Sequence, residues 1–316
     1  MTGFIWILLT LVVAAIYSLT MFIDNYLADV IFHGKKPEAV KPLGSLTYFV
    51  MIVVVFLVGD VTFHGMSGGL IAGLIFFGII DALASIPYYK ALKYEEATGL
   101  GILGQLTPVV ALIVGVTILG EKMSTVHVAA VFLVLSAAIL VILSNGFSKI
   151  KLGWKAARLM LLSIIIWVAC DTAFIFFIKG RQEIFMEGFF LLLVGKMIGD
   201  TLLFSFKSWR KRLKEVWVES RWKFFSIFAT NEIIYSCGQW LWRYVLIIAP
   251  TFAIASVTQN VSLLIFTFIF GICLSMIWPN FGRENINRRT ILIHLLAVIM
   301  AVGGILLFHA ADLPAV

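Results

Sequence analysis

Residues 88–123 read YYKALKYEEATGLGILGQLTPVVALIVGVTILGEKM. Two charged turns, Lys90–Glu96 and Glu121-Lys122, bracket the 24 residues Ala97–Gly120, which carry no charge. At about 1.5 Å per residue, a helical run of that length crosses a hydrocarbon core of about 30 Å. Gly99, Gly101, Gly104 and Gly115 permit close helix approach. Gln105, Thr107 and Pro108 fall near the middle, where a polar group or a freed carbonyl must face protein or a water-filled cavity. The stretch therefore predicts one membrane span with a polar centre.

The rest of the chain agrees. Of 316 residues, 61% are hydrophobic and 13% charged, against about 25% charged in soluble domains. The apolar segments run about 20 residues without strict alternation, which is the signature of helices; a barrel strand would alternate over about 10. The net charge of +7 sits in loops between spans, so it marks membrane orientation and not a nucleic-acid surface. Cys170, Cys237 and Cys273 all lie in apolar segments, so no disulfide framework or metal spacing is present.

Ten spans are predicted: Phe4–Ile23, Ser45–Val61, Gly68–Ala91, Ala97–Gly120, Thr125–Leu143, Ala157–Ile178, Gly188–Phe206, Lys223–Ile248, Thr251–Met276 and Thr290–Phe308. They fall into two groups of five, residues 1–148 and 149–316, joined by the short link Asn145–Trp154. An odd number of spans per group makes two copies inverted, an arrangement that places a substrate site at mid-membrane. Nineteen basic residues fall in the odd-numbered loops and three in the even-numbered ones. That bias puts the odd loops in the cytoplasm and both termini outside. In the seventh loop, Trp209, Leu213, Val216 and Trp217 share one helical face among basic residues, as in a helix lying on an anionic leaflet.

Several spans carry polar groups that hydrocarbon would not tolerate without a purpose. In the eighth, Asn231, Tyr235, Gln239 and Trp242 recur on one face, flanked by Glu232 and Arg243. The sixth offers Trp167, Asp171 and Phe174, and the first offers Tyr17, Thr20 and Asp24, each an aromatic with a carboxylate on one face. Asp24 sits late enough in its span to be an exposed end residue. Asp81 lies near the middle of the third span, with Ser85 and Tyr88 on its face. Gln259 and Asn260 take the centre of the ninth, as Gln105 does in the fourth. Candidate substrate-binding residues are thus Tyr17, Asp81, Tyr88, Gln105, Trp167, Asp171, Asn231, Glu232, Tyr235, Gln239, Trp242, Gln259 and Asn260. Glu232, Asp171 and Asp81 are candidates for proton coupling.

Other polar groups read more simply. Lys196 and Asp200, four apart, are placed to neutralise one another. Arg243 near a span end is placed to snorkel, and Glu232 could pair with Lys196 or Arg243. Gly69-x-x-x-Gly73 and Gly195-x-x-x-Gly199 are packing seams. Glu121, in the turn after an apolar helix, is placed to tie a loop.

The positions Tyr89, Ala91, Leu92, Tyr94, Leu106, Pro108, Val109, Gly120 and Glu121 resemble the EamA-type repeat of the drug/metabolite transporter superfamily. The resemblance implies an all-α membrane protein of ten helices in two inverted five-helix repeats around a central cavity lined by spans 1, 3, 4, 6, 8 and 9. It implies that both termini are cytoplasmic, against the charge bias. The second half departs from the pattern: Asn260-Val261 stands where a proline is expected, and no Gly-Glu closes the ninth span.

There is no phosphate-binding glycine loop, His-Glu-x-x-His, Cys-x-x-Cys or Gly-x-Ser-x-Gly. The expectation is a multi-pass secondary transporter of the cell membrane, not an enzyme. Its cargo is a small amphipathic metabolite, such as an amino acid or related amine. Its partners are that cargo, the lipid bilayer and candidate protons; no nucleic acid, metal or cofactor is implied, and a monomer suffices. Two alternatives stand beside it: an exporter of cationic or aromatic drug-like compounds, and a membrane-embedded transferase, which the scattered acids disfavour.

Overall fold

The computed structural model describes residues 2–27, 41–91, 94, 103–104, 106–144, 154–277 and 288–312. Among them are ten α-helices and no strand, as expected where the backbone must satisfy its own hydrogen bonds in hydrocarbon. They are α1 (Thr2–Tyr26), α2 (Gly44–Val58), α3 (Gly68–Ala91), α4 (Thr107–Thr117), α5 (Thr125–Ser144), α6 (Trp154–Ile178), α7 (Phe185–Leu203), α8 (Lys207–Ile248), α9 (Phe252–Ile277) and α10 (Arg288–Asp312).

Five of these helices are long and apolar enough to cross a membrane, within 4–24, 41–58, 68–91, 154–178 and 252–274. A bent pair, Gln182–Leu203 with Lys207–Glu215 at 88°, adds a sixth if it is one span. The chain is therefore a multi-pass helical membrane protein.

The opening stretch is described in part: residues 97–102 lie outside the described residues, Leu103 and Gly104 are helical, and Thr107–Thr117 forms a helix whose 11 residues reach about 16 Å. Pro108 falls in its first turn, where the missing N–H costs nothing and the ring presets helical φ. The proline thus opens a short helix and does not sit inside a long one. Gln105 lies outside the described residues. At the other end Gly120 has φ +68°, a left-handed conformation that glycine adopts without strain. The turn it makes folds Glu121 back toward α4, whose Gly115 carbonyl accepts the Glu121 N–H at 2.9 Å.

α8 is also longer than expected. Its 42 residues reach about 63 Å, twice the hydrocarbon thickness. The basic segment Lys207–Glu215 is its first part, set at 88° to the preceding helix, so it runs off the axis of α7 as an interfacial segment would. Lys207, Arg210, Lys211 and Lys214 are exposed there, while Trp209 and Leu213 are half-buried. The side chains of Val216 and Trp217 lie outside the described residues.

The main packing partners come from opposite halves of the sequence. α1 packs on α8 and α9, α3 on α6 and α7, α2 on α7 and α8, α4 on α6 and α9, and α5 on α10. Exchanging each helix for the one five places along turns this set of pairs into itself. Backbone approach is closest between α3 and α7. A Cβ on Gly195 would stand 2.8 Å from the Gly78 Cα, and one on Gly199 3.1 Å from the Ala82 Cβ. The Gly195–Gly199 seam is therefore real, but its partner on α3 is Gly78. Gly73 instead makes room for the Phe177 ring, and Gly69 has open space around it.

Candidate functional site

One cavity of about 210 Å³ opens between α1, α3, α4, α6, α8 and α9. Every described candidate binding residue lies on its wall: Tyr17, Asp81, Tyr88, Trp167, Asp171, Asn231, Glu232, Tyr235, Gln239, Trp242, Gln259 and Asn260. The shared helical faces explain the gathering. Residues at i, i+3, i+4 and i+7 point one way, and each such face in α1, α6 and α8 turns toward the same space. Close approach of α1 and α8 depends on Gly238, whose added Cβ would lie 2.9 Å from the Tyr17 ring. That approach sets the Tyr17 and Tyr235 rings 5.4 Å apart. On another wall Tyr88 and Trp167 meet at 5.8 Å.

At the α3–α6 end, charges are matched. Asp81 Oδ2 stands 2.9 Å from Lys196 Nζ and 3.2 Å from Arg243 Nη2. Arg243 also binds the Asp171 carboxylate through Nη1, and Trp242 Nε1 donates to Asp171 Oδ2 at 2.9 Å. Two acids and two bases form a closed set. Lys196 further donates to Gln239, whose Nε2 donates to Tyr235 Oη at 3.1 Å. These contacts correct two expectations. Arg243 does not snorkel; it is 3% exposed and bridges α3 to α6, because two carboxylates on the cavity wall outcompete a distant interface. Lys196 does not settle on Asp200 one turn away. Asp81 on α3 lies across the tight α3–α7 seam and takes it instead.

At the α1–α2 end, charges are not matched. Asp200 meets Lys41 Nζ at 3.4 Å, and Lys41 donates to Tyr48 Oη at 3.3 Å. Tyr48 in turn donates to Glu232 Oε2 at 3.4 Å. Glu232, 4% exposed, joins no ion pair among the described residues, so the expected pairing with Lys196 or Arg243 is not formed. Its neighbour Asn231 donates from Nδ2 to Asp24 Oδ1 at 2.8 Å, and Tyr89 reaches the same oxygen at 3.5 Å. Among the described residues, Asn231 Oδ1 accepts no hydrogen bond and Trp167 Nε1 finds no acceptor.

Lys41, Asp24, Tyr89, Thr20, Gly104 and Met160 also line the cavity. Asp24 had a signal in its spacing from Tyr17 and Thr20, but α1 runs on to Tyr26 and carries it inside. Lys41 had none. It precedes Pro42 in a polar stretch and looks like any loop lysine until the chain folds it under α2, where it is 1% exposed.

Glu121 lies away from the cavity. Its carboxylate accepts the backbone N–H groups of Phe252 and Ala253, which open α9. It satisfies donors that a helix start leaves unpaired, and so ties the turn after α4 to the second half, the loop-tying role read from its position.

Membrane-crossing helices around a charged and aromatic chamber define a polytopic protein with a binding space between its helices. The profile of the EamA-like transporter family matches residues 1–143. Over that stretch, 143 of the 316 residues, the sequence is similar to the EamA-like transporter family, a family of membrane transporters of the drug/metabolite type. No curated protein compared with the sequence matches it. A solved crystal structure is similar with a TM-score of 0.62, covering 98% of this chain and 95% of that one at 15% sequence identity. At that identity the likeness concerns the fold alone, but it extends over the second half, where the family profile does not reach.

Proposed function

We propose that this chain is a secondary transporter that moves a small amphipathic metabolite, an amino acid or a related amine, by alternating access. The observation that carries this is the unmatched set of acceptors on an aromatic-walled cavity. Glu232, Asp24 and Asn231 Oδ1 suit an ammonium group, which brings only donors. The Tyr17 and Tyr235 rings add π faces for the cationic or apolar part. Trp167 Nε1 suits an acceptor on the cargo.

Of the three acids read as proton candidates, Asp81 and Asp171 share Arg243, which leaves Glu232 the most available. Glu232 stands on the cavity wall with no ion pair among the described residues, next to Asn231, which holds Asp24. Proton exchange there is the coupling step. The architecture we assign is ten transmembrane helices in two inverted repeats, residues 1–148 and 149–316. The exchange of packing partners between helices five places apart supports it. Rocking of one half on the other would expose the cavity to each side in turn, in a monomer in the cell membrane. The aromatic lining also suits the second reading, export of cationic or aromatic drug-like compounds.

Uptake into proteoliposomes of a panel of labelled amino acids and amines, with and without a pH gradient, tests the proposal. We expect saturable, protein-dependent movement of at least one compound. If none moves and none binds the purified protein, the assignment is wrong.

A further inference from the structure

The cavity and the residues bridged to it hold five carboxylates, Asp24, Asp81, Asp171, Asp200 and Glu232. They hold three cations, Lys41, Lys196 and Arg243. Among the described residues the ionised chamber is therefore short of two positive charges. The deficit is local. The Asp81–Lys196–Arg243–Asp171 set is neutral in itself, and Lys41 with Asp200 makes a further neutral pair. Asp24 and Glu232 remain; Asn231, which precedes Glu232 in α8, donates to Asp24.

We infer that the cargo carries a net positive charge, its cationic groups outnumbering its anionic ones, and that Asp24 and Glu232 select it. This rests on the amine reading above and narrows it: a diamine or a basic amino acid is preferred over a zwitterionic amino acid. A zwitterion brings an anion as well as a cation, so it leaves the deficit in place. It must also place its carboxylate beside cations that already have partners. A net cation cancels the deficit without disturbing the matched set. The free acceptors agree. Glu232 and Asn231 are 4% and 3% exposed, and Asn231 Oδ1 has no donor among the described residues, so the site offers lone pairs that only a donor-rich ligand fills. Lys41 is a specificity residue in this scheme. Held between Asp200 and the Tyr48 hydroxyl, it fixes the deficit at two instead of three.

The test uses three probes of similar length and different charge: 1,5-diaminopentane, L-lysine and L-norleucine. Binding to the purified full chain and uptake into proteoliposomes are both measured. We expect the two net cations to bind about tenfold or more tightly than norleucine. In Glu232→Gln and Asp24→Asn that gap shrinks to within about threefold, while Glu232→Asp keeps it. Lys41→Gln widens it. Unfolding midpoints of each variant separate lost selectivity from lost folding. Norleucine binding as tightly as the cations would overturn the inference and leave the amine reading standing. A cation preference that survives both neutralising variants would overturn the assignment to these two acids. Failure of all three probes, and of the wider panel, would sink the amine reading itself.

Discussion

Asp81 and Glu232 are both carboxylates buried in the same cavity wall, and they are treated in opposite ways. Asp81 sits between Lys196 and Arg243, and Arg243 goes on to Asp171. Glu232 has a phenol hydroxyl at 3.4 Å and a second acid, Asp24, held by the residue beside it. The first end spends its charges on itself and joins α3, α6, α7 and α8 into one unit. The second end keeps charge in reserve. A buried group that is fully matched reads as scaffold, and a buried group left short of a partner reads as a place for something that arrives.

Stability measurements on the two ends should separate them. The largest effect is expected from Arg243→Met, which strands the Asp171 carboxylate and leaves the buried Asp81 with Lys196 alone. Loss of about 3–5 kcal/mol is the ordinary result of removing one partner from a buried pair, seen as a collapse of folded yield or unfolding midpoint in detergent. A stable Arg243→Met protein would break the comparison, because the matched end would then not be scaffold. Glu121→Ala is expected to cost about 0.5–2 kcal/mol as a lost helix cap and to leave the binding affinity for cargo unchanged. It supplies a structural acid outside the cavity as a reference. Tyr48→Phe removes the hydroxyl between Lys41 and Glu232, for about 0.5–1.5 kcal/mol. The smallest effect on folding is expected from Glu232→Gln, within about 1 kcal/mol, with uptake falling sharply in the same protein. A Glu232→Gln chain that transports at full rate, or one that does not fold, would place Glu232 with the scaffold.

The lipid-facing pattern of the chain was legible from residue types. Long apolar runs without alternation give helices, and the helical faces in α1, α6 and α8 were visible because side chains repeat every 3.6 residues. The positions Tyr89 to Glu121 pointed to the family that the profile matches over residues 1–143. Less legible was where helices begin. Pro108 reads equally as an interruption or an opening, and only the observed Leu106 cap position distinguishes them. The length of α8 was hidden too, because a polar helix leaving the membrane has the composition of a loop.

The sequence by itself determined a helical membrane protein and most of the polar residues that face its cavity, because hydrocarbon tolerates such residues only where they are turned inward. Only the tertiary structure decided which charge answers which. Lys196 had a partner four residues away and took Asp81; Arg243 took two acids; Asp200 took Lys41 from outside every predicted span. Ion pairing depends on distances of a few ångströms between helices that are far apart in sequence, and the tight α3–α7 seam at Gly78 and Gly195 sets those distances. Among the described residues Glu232 is left without a cation, which no spacing along the chain could have shown.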